Sequence, residues 1–144
     1  MIAVDTNILV YAFRDDFPWH SAARAELGKL AGGPEDWAIP WPCVHEFLAV
    51  VTNPRTFRDP APLQAGLDAL EGWRGAANLL FLGEVDGYWQ RFLASAIGGS
   101  VRGALVHDAH IAALCDLHGV RELWTADRDF SRFPSLRCRN PLVG

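Results

Sequence analysis

The first seven residues constrain the fold of this chain more than any other stretch. An apolar run at residues 1–4 meets an acid, Asp5, and then two polar residues, Thr6 and Asn7. A short run without a polar face is typical of a strand buried on both sides in a parallel sheet. Asp5 then lies at the carboxyl end of that strand, where open α/β sheets bind their ligands. A second interpretation stays open, in which Thr6 or Asn7 caps the next helix and Asp5 only takes part in that cap.

Strand and helix patterns alternate along the rest of the chain. Short apolar runs predict further strands at residues 37–40, 78–83 and 122–125, with a weak last strand at 136–139. Helical spacing of apolar side chains predicts helices at residues 8–13, 19–30, 41–52, 62–73, 86–97 and 108–118. This alternation predicts one α/β domain over residues 1–144, with a central parallel sheet of four to five strands covered by helices on both faces.

The composition limits the class of protein. Half of the 144 residues are hydrophobic, so the chain is long and apolar enough for one ordinary core. No apolar run approaches the roughly 20 residues of a membrane span, and no signal-type segment opens the chain, so we expect a cytoplasmic protein. The cysteines Cys43, Cys115 and Cys138 are scattered, which favours buried thiols over disulfides or a zinc site.

The charge is weakly informative about a nucleic-acid partner. The net charge of -4 argues weakly against such a partner. Every basic residue except Lys29 is an arginine, and arginine suits phosphate, although genome composition explains that usage equally well. Arg14, Arg55 and Arg58 are candidates for substrate phosphate, and an ordinary solvated loop explains them as well.

A glutamate stands out in the helix predicted at residues 41–52. The apolar stripe of that helix excludes Glu46 and consists of Val44, Phe47, Leu48 and Val51. The residues one turn away from Glu46 are all apolar, namely Cys43, Ala49 and Val50. We therefore expect a partly buried carboxylate that needs a cation or a donor. The alternative is a glutamate that reaches solvent from the edge of a buried helix.

Two further acids lie in the last third of the chain. Asp127 lies just past the strand at residues 122–125, much as Asp5 follows the first strand. Asp108 begins a predicted helix, so it is either a helix cap or a functional carboxylate. His110 lies at the same end of that helix and is a candidate ligand or base, although a lone helical histidine is more often structural.

These acids together indicate a metal site. If the strands before Asp5 and Asp127 are neighbours, Asp108 and Glu46 complete a cleft of four carboxylates. Such carboxylates repel each other by roughly 1 to 4 kcal/mol per close pair and need a compensating positive charge. Mg²⁺ and Mn²⁺ prefer oxygen ligands, and they promote phosphodiester hydrolysis. No glycine-rich nucleotide loop is present, so metal-dependent hydrolysis of a phosphate ester is the predicted chemistry.

The ordered set of motifs resembles a known family. The resemblance covers essentially the whole chain and is carried by Asp5-Thr6-Asn7, Glu46, Asp108-Ala109-His110-Ile111-Ala112-Ala113-Leu114 and Thr125-Ala126-Asp127-Arg128-Asp129-Phe130. These residues resemble the PIN-domain nucleases and, more narrowly, the VapC-type toxins of bacterial toxin–antitoxin pairs. The resemblance implies a PIN-like three-layer fold and an Mg²⁺-dependent endoribonuclease, with Mn²⁺ as an alternative metal.

The resemblance also implies roles for individual residues and partners. The implied catalytic residues are Asp5, Glu46, Asp108 and Asp127. Asp5, Asp108 and Asp127 are the implied metal ligands, and Asp5 and Asp108 the most direct. The implied supporting residues are Thr6, Asn7 and Thr125, with Asp129 as a fifth acid or a support for the ligands. The implied partners are an RNA substrate, a VapB-type antitoxin and a second copy of the chain. Abundant aromatic residues, notably in the helix at residues 86–97, also favour a homodimer.

Two other classes of protein compete with the nuclease. A phospho-receiver domain has similar layers and clustered acids, but it needs a lysine after a late strand, and Lys29 lies in an early helix. A PIN-like module that binds RNA without cutting it is the second, and the complete set of acids counts against it. A cleavage assay with and without metal separates both from the nuclease.

Overall fold

A parallel sheet forms the centre of the molecule. The computed structural model describes residues 1–143, and Gly144, the last residue of the predicted domain, lies outside the described residues. Within residues 1–143 the sheet has five strands: β1 (Ile2–Val4), β2 (Trp37–Pro40), β3 (Leu79–Leu82), β4 (Glu122–Trp124) and β5 (Cys138–Arg139). Their order is β3-β2-β1-β4-β5, and every neighbouring pair is parallel. The predicted sheet of four to five strands is confirmed.

Helices cover both faces of this sheet. The described residues form six α-helices: α1 (Thr6–Phe13), α2 (His20–Ala31), α3 (Trp41–Val51), α4 (Leu63–Arg74), α5 (Tyr88–Gly98) and α6 (Leu105–Leu117). A 3-10 helix (Arg128–Arg132) joins β4 to β5. Helix α1 packs on α2 and α3, α3 packs on α4, and α5 packs on α6. The predicted three-layer α/β arrangement is confirmed.

The path of the chain creates a cleft between β1 and β4. From β1 the chain moves outward through β2 to β3, then returns to place β4 on the other side of β1. Right-handed crossovers therefore put α1 to α4 on one face and α5 and α6 on the other. The connections leave β1 and β4 in opposite directions, which makes this pair the topological switch point where open α/β sheets bind ligands.

The core lies under the three central strands. Trp37, Phe47 and Phe130 are among its largest fully buried side chains. Val44 and Val51 are buried with Phe47, so the predicted core stripe of α3 packs inward, with Leu48 partly buried beside it. Burial of this stripe fixes the rotation of α3 and thereby directs Glu46 away from the core.

Several predictions about local structure were wrong. The strand predicted as buried at residues 78–83 is the edge strand β3, where Leu80 is 44% exposed. Cys43 and Cys115 are buried as predicted, but Cys138 is exposed on the other edge strand, β5. Helix α6 begins at Leu105 rather than at Asp108. Within the described residues no helix is long and apolar enough to cross a membrane.

Candidate active site

Asp5 lies where β1 ends and α1 begins. Its backbone is still extended, and its Oδ1 accepts a hydrogen bond from the Thr6 backbone N–H at 2.8 Å, so Asp5 is the N-cap of α1. The prediction that Asp5 takes part in this cap is confirmed, but the prediction that Thr6 or Asn7 provides the cap was wrong. Asp5 is only 5% exposed. Burial raises its pKa, and the hydrogen bonds from Thr125 and Thr6 oppose that rise.

A hydrogen-bond network ties the end of β1 to the end of β4. The Thr125 hydroxyl donates to Asp5 Oδ2 at 2.7 Å and accepts from the Asp127 backbone N–H at 3.0 Å. Asn7 Nδ2 donates to Thr125 Oγ1 at 3.3 Å, and Asn7 Oδ1 accepts from the Ala126 N–H at 3.1 Å. The network holds the two strand ends in one fixed relation, as expected for a preorganised site.

Two buried groups beside Asp5 complete its surroundings. The Cys43 thiol donates to Asp5 Oδ1 at 3.5 Å, and burial raises the pKa of this thiol, which keeps its proton in place. The Thr6 hydroxyl is also buried, and within the described residues it has no hydrogen-bond partner. Asp5 is therefore enclosed on the protein side by donors.

Asp127 and Asp129 form a more open pair at the end of β4. Asp127 Oδ1 accepts from the Asp129 backbone N–H at 2.8 Å and so caps the 3-10 helix. Asp127 is half-buried, whereas Asp129 is exposed. One carboxylate oxygen each of Asp108, Asp127 and Asp129 lies within 4.8 Å of the other two. The structure thus brings Asp129 close to two of the predicted metal ligands.

Asp108 reaches this cluster from the first turn of α6. Because α6 begins at Leu105, Asp108 is its fourth residue and not its N-cap, so the alternative that it caps the helix was wrong. Its pKa is raised to about 6, first by burial and then by the negative charges of Asp127, Asp5, Asp129 and Glu46. The carboxylate therefore sits in excess negative charge.

Glu46 faces the same acids from α3. The residue as a whole is exposed beside an open cleft, while its carboxylate is partly buried, as predicted. Packing around the carboxylate and the charge of Asp5 still raise its pKa, while nearby His107 lowers it. A group of this kind can exchange protons with solvent or substrate at the mouth of the cleft.

The four predicted acids line one cavity of about 250 Å³. Its acidic wall consists of Asp5, Glu46, Asp108 and Asp127. The cavity is also lined by the rings of Tyr11, Phe17 and Phe57, which we call the aromatic wall. Sequence reasoning did not place these rings at the site, because they come from α1 and from two separate loops, without a shared local pattern.

Other predicted residues lie outside the acidic wall. The guanidinium of Arg14 is bound by Asp16, with Nε and Nη2 donating to its two oxygens at 2.9 and 2.7 Å. Arg55 and Arg58 are exposed on the loop that also carries Phe57. His110 binds Glu84 and packs against the Tyr88 ring instead of lining the cavity. The structure therefore gives no support to His110 as a ligand or base.

The donor set of the site fits a hard divalent cation. Asp108, Asp127 and Asp129 offer only oxygen atoms, at a spacing that one ion can bridge. After burial, the negative charges of neighbouring acids also raise the pKa of Asp108, and a bound cation would compensate that charge. Oxygen-only ligands suit Mg²⁺ or Mn²⁺ and disfavour softer metals.

Comparisons with known proteins agree with this geometry. The family model described as "PIN domain" matches residues 2–136. The chain is 35% identical over 144 residues to Ribonuclease VapC43 of Mycobacterium tuberculosis (strain ATCC 25618 / H37Rv), covering 100% of this chain and 97% of the relative. It is 31% identical over 140 residues to Ribonuclease VapC48 of the same strain, covering 97% of each chain.

A solved structure has the same fold. The crystal structure of VapBC2 from Rickettsia felis, bound to a DNA fragment from their promoter, matches with a TM-score of 0.69 and 20% identity. The match covers 96% of this chain and 98% of that one. The predicted resemblance of the whole chain to PIN-domain proteins of the VapC type is confirmed.

Proposed function

We propose, because this chain belongs to the PIN-domain family, that it is a metal-dependent endoribonuclease and the toxin of a toxin–antitoxin pair. The observation that carries the proposal is the convergence of Asp5, Glu46, Asp108 and Asp127 on one cavity at the switch point of the sheet. The two relatives described above are named ribonucleases and match along almost their whole length. The proposed reaction is hydrolysis of an RNA phosphodiester bond.

The acids divide into metal ligands and a proton carrier. Asp108 and Asp127 would hold Mg²⁺ or Mn²⁺ together with Asp5, and Asp129 would be a further oxygen donor. The bound ion would neutralise the phosphodiester and lower the pKa of a coordinated water. The Glu46 carboxylate, exposed at the mouth and with a raised pKa, is suited to accept a proton from the attacking water.

Polar residues around Asp5 position this set. Thr125 and Asn7 hold the Asp5 carboxylate in one orientation, and they connect it through backbone N–H groups to the segment that carries Asp127. Such bracing limits side-chain motion, and a loosely held ligand would bind the ion more weakly.

The decisive experiment measures RNA cleavage with and without metal. Purified protein is incubated with a mixed RNA pool in Mg²⁺, in Mn²⁺ and in chelator, and cleavage ends are mapped. We expect internal cuts only with metal, and none with Asp108→Asn. Asp116→Asn is the matched control, because Asp116 lies on the same helix but pairs with Arg91 at the surface. Equal cleavage in chelator refutes the metal mechanism, and binding without cleavage supports a non-cleaving module.

We also propose a small VapB-type antitoxin as the partner that holds the protein inactive. An arginine of that partner suits the acidic wall, because a guanidinium fork supplies the positive charge that the four carboxylates lack. Co-expression with the product of a neighbouring short reading frame should give a stable complex that does not cut RNA. Toxicity that no neighbouring product relieves would contradict this proposal.

A homodimer is the last part of the proposal. Helix α5 exposes Trp89, Leu93 and Ile97 by 58%, 39% and 75%, at positions that share one side of the helix. Large apolar side chains grouped in this way mark association surfaces. Light scattering should report a dimer, and Ile97→Lys should convert it to a monomer. A monomeric wild-type chain would contradict the dimer.

A further inference from the structure

The candidate cavity has two walls of different chemistry. Hydrolysis at a metal ion uses the acidic wall and leaves the aromatic wall unexplained. The rings line the same cavity as the acids, so they are placed to contact a substrate that binds there.

The aromatic wall is rigidly built. The Tyr11 and Phe17 rings meet edge to face with centroids 5.0 Å apart, and the Phe17 and Phe57 rings do so at 6.0 Å. Arg14 Cζ lies 3.9 Å from the centroid of the Phe57 ring, and its Nη1 donates to the Asp59 carbonyl oxygen at 3.0 Å. Arg14 thus fastens the loop of Phe57 to the end of α1.

The loop at residues 53–60 is ordered by its own hydrogen bonds. The Arg55 N–H donates to Asn53 Oδ1 at 2.9 Å, and the Phe57 N–H donates to the Asn53 carbonyl oxygen at 3.1 Å. Three prolines stand in or just beyond it, namely Pro54, Pro60 and Pro62. An ordered loop binds a ligand without a large loss of conformational entropy.

Two unpaired cations flank the part of the loop that lines the cavity. Thr56 and Phe57 line the cavity, while Arg55 and Arg58 on either side are exposed and form no ion pair within residues 1–143. Proteins that bind single-stranded RNA combine aromatic rings, on which bases stack, with cations that contact the neighbouring phosphates. A loop with these residues next to an acidic site has both components.

We propose that the aromatic wall receives one unpaired base next to the phosphate that is cut, and so helps to select which RNA is cleaved. This inference rests on the proposed ribonuclease function. A cavity of about 250 Å³ is below the roughly 300 to 1,000 Å³ of ordinary small-molecule pockets, so it fits one flat base. Phe57 supplies the stacking surface, the Thr56 hydroxyl is available to the edge of the base, and Arg55 and Arg58 contact flanking phosphates.

The experiment tests whether binding of one RNA base depends on the Phe57 ring. Short single-stranded RNA oligonucleotides, each lacking the base at one position, are titrated against protein carrying Asp108→Asn to prevent cleavage. We expect removal of one particular base to weaken binding about tenfold. In protein that carries both Asp108→Asn and Phe57→Leu, removal of the same base should change binding less than about twofold. Phe57→Trp, which keeps a ring, should preserve the coupling.

A matched control separates stacking from general damage. Phe81→Leu removes a partly buried ring that stacks on Trp41 outside the cavity, and it should leave the base dependence intact. Thermal unfolding identifies a variant that fails to fold, in which case Thr56→Val tests the same cavity. If no base position is coupled to either residue, the inference is wrong.

The phosphate contacts have their own measurement. The slope of log Kd against log salt concentration should fall by about 0.7 for each of Arg55→Gln and Arg58→Gln. Arg121→Gln should leave the slope unchanged, because Arg121 precedes β4 at the opposite end of the sheet. An unchanged slope in both loop variants would overturn the phosphate contacts.

Cleavage mapping tells this inference apart from the proposed function. If the wild-type protein cuts RNA and Phe57→Leu keeps the same base preference, the inference fails while the ribonuclease stands. If the wild-type protein cuts no RNA, the ribonuclease fails, and the abasic titration still decides whether a base is bound. Loss of antitoxin inhibition in Phe57→Leu with unchanged RNA preference would assign the aromatic wall to the protein partner and overturn the inference.

Discussion

The ends of β1 and β4 look alike along the chain and differ in three dimensions. Each strand is followed by an acid that caps a helix, Asp5 for α1 and Asp127 for the 3-10 helix. The Asp5 carboxylate is buried and accepts hydrogen bonds on both oxygens, from Thr6 and Thr125. Asp127 is half-buried, and within the described residues one of its oxygens accepts a hydrogen bond, from the Asp129 N–H.

The difference indicates two tasks for one residue type. A buried carboxylate surrounded by donors is held in place, so it can anchor the geometry of a site. A carboxylate with free oxygens next to other acids keeps its capacity for an external cation. Asp108 belongs to the open group with Asp127, because its carboxylate has no hydrogen-bond donor among the described residues. The predictions below test this division between a closed and an open group.

Asp5→Asn should have the largest effect, because it damages both geometry and chemistry. The asparagine side chain places an N–H donor where Thr6 N–H or Thr125 Oγ1 already donates, so one donor stays unsatisfied in either orientation. Both lone pairs of Thr125 are occupied by the Asn7 amide and the Asp127 N–H, which prevents a simple reversal. We expect unfolding free energy to fall by about 1 to 3 kcal/mol and cleavage to fall more than about 100-fold.

Urea denaturation and RNA cleavage together check this prediction. Asp15→Asn serves as the control, because Asp15 is an exposed acid beyond the end of α1 and should change neither quantity. Full stability with full activity in Asp5→Asn would show that the closed end of β1 has no special role.

Asp108→Asn should abolish cleavage while stabilising the metal-free protein at neutral pH. The folded pKa of about 6 lies above the ordinary value of 3.8, so between about pH 4 and 6 the folded state holds a proton that the unfolded state has lost. Stability of the wild-type protein therefore falls as pH rises through this window. At pH 7 the variant should be more stable by about 1 kcal/mol, after allowance for solvent screening.

Denaturation in chelator at several pH values measures that difference. The two proteins should be equally stable at about pH 3, below the ordinary pKa of 3.8, where the carboxyl is protonated in both states. A variant that is less stable at pH 7, with activity retained, would restore a purely structural role for Asp108. A constant difference at all pH values would contradict the electrostatic explanation.

The sequence predicts the positions of the acids better than the hydrogen bonds and exposure that distinguish the closed group from the open group. The acid after each strand and the strand alternation follow from local pattern, and they led to the correct sheet and to the meeting of Asp5 with Asp127. The resemblance named Thr6, Asn7 and Thr125 as supporting residues, but local pattern alone could not give their hydrogen bonds around Asp5, because Thr125 and Asn7 meet across 118 residues of chain. The cleft beside Glu46 could not be predicted for a similar reason, since local neighbours do not reveal whether a helix faces core or cleft.

Thr125→Val should have an intermediate effect, mainly on the closed group. The substitution preserves shape but removes the hydroxyl that joins Asp5 to the backbone of Asp127. Loss of these bonds in a buried position should lower unfolding free energy by about 1 to 2 kcal/mol and reduce activity about tenfold. Thr125→Ser keeps the hydroxyl and should retain most of both, as denaturation and cleavage rates will show. Equal losses in both variants would assign the effect to packing instead.

Asp129→Asn should have the smallest effect, confined to the metal. The Asp129 side chain is exposed. The backbone N–H of Asp129 donates to Asp127 Oδ1, and the substitution keeps this hydrogen bond. Stability should therefore change by less than about 0.5 kcal/mol. Its carboxylate lies within reach of Asp108 and Asp127, so the midpoint of a Mg²⁺ titration of activity should rise about tenfold.

His110→Gln is the control, because His110 binds Glu84 outside the cavity and should leave that midpoint unchanged. An unchanged midpoint in Asp129→Asn would limit the open group to Asp108 and Asp127, and an equal rise in both variants would remove the distinction between cluster and surroundings.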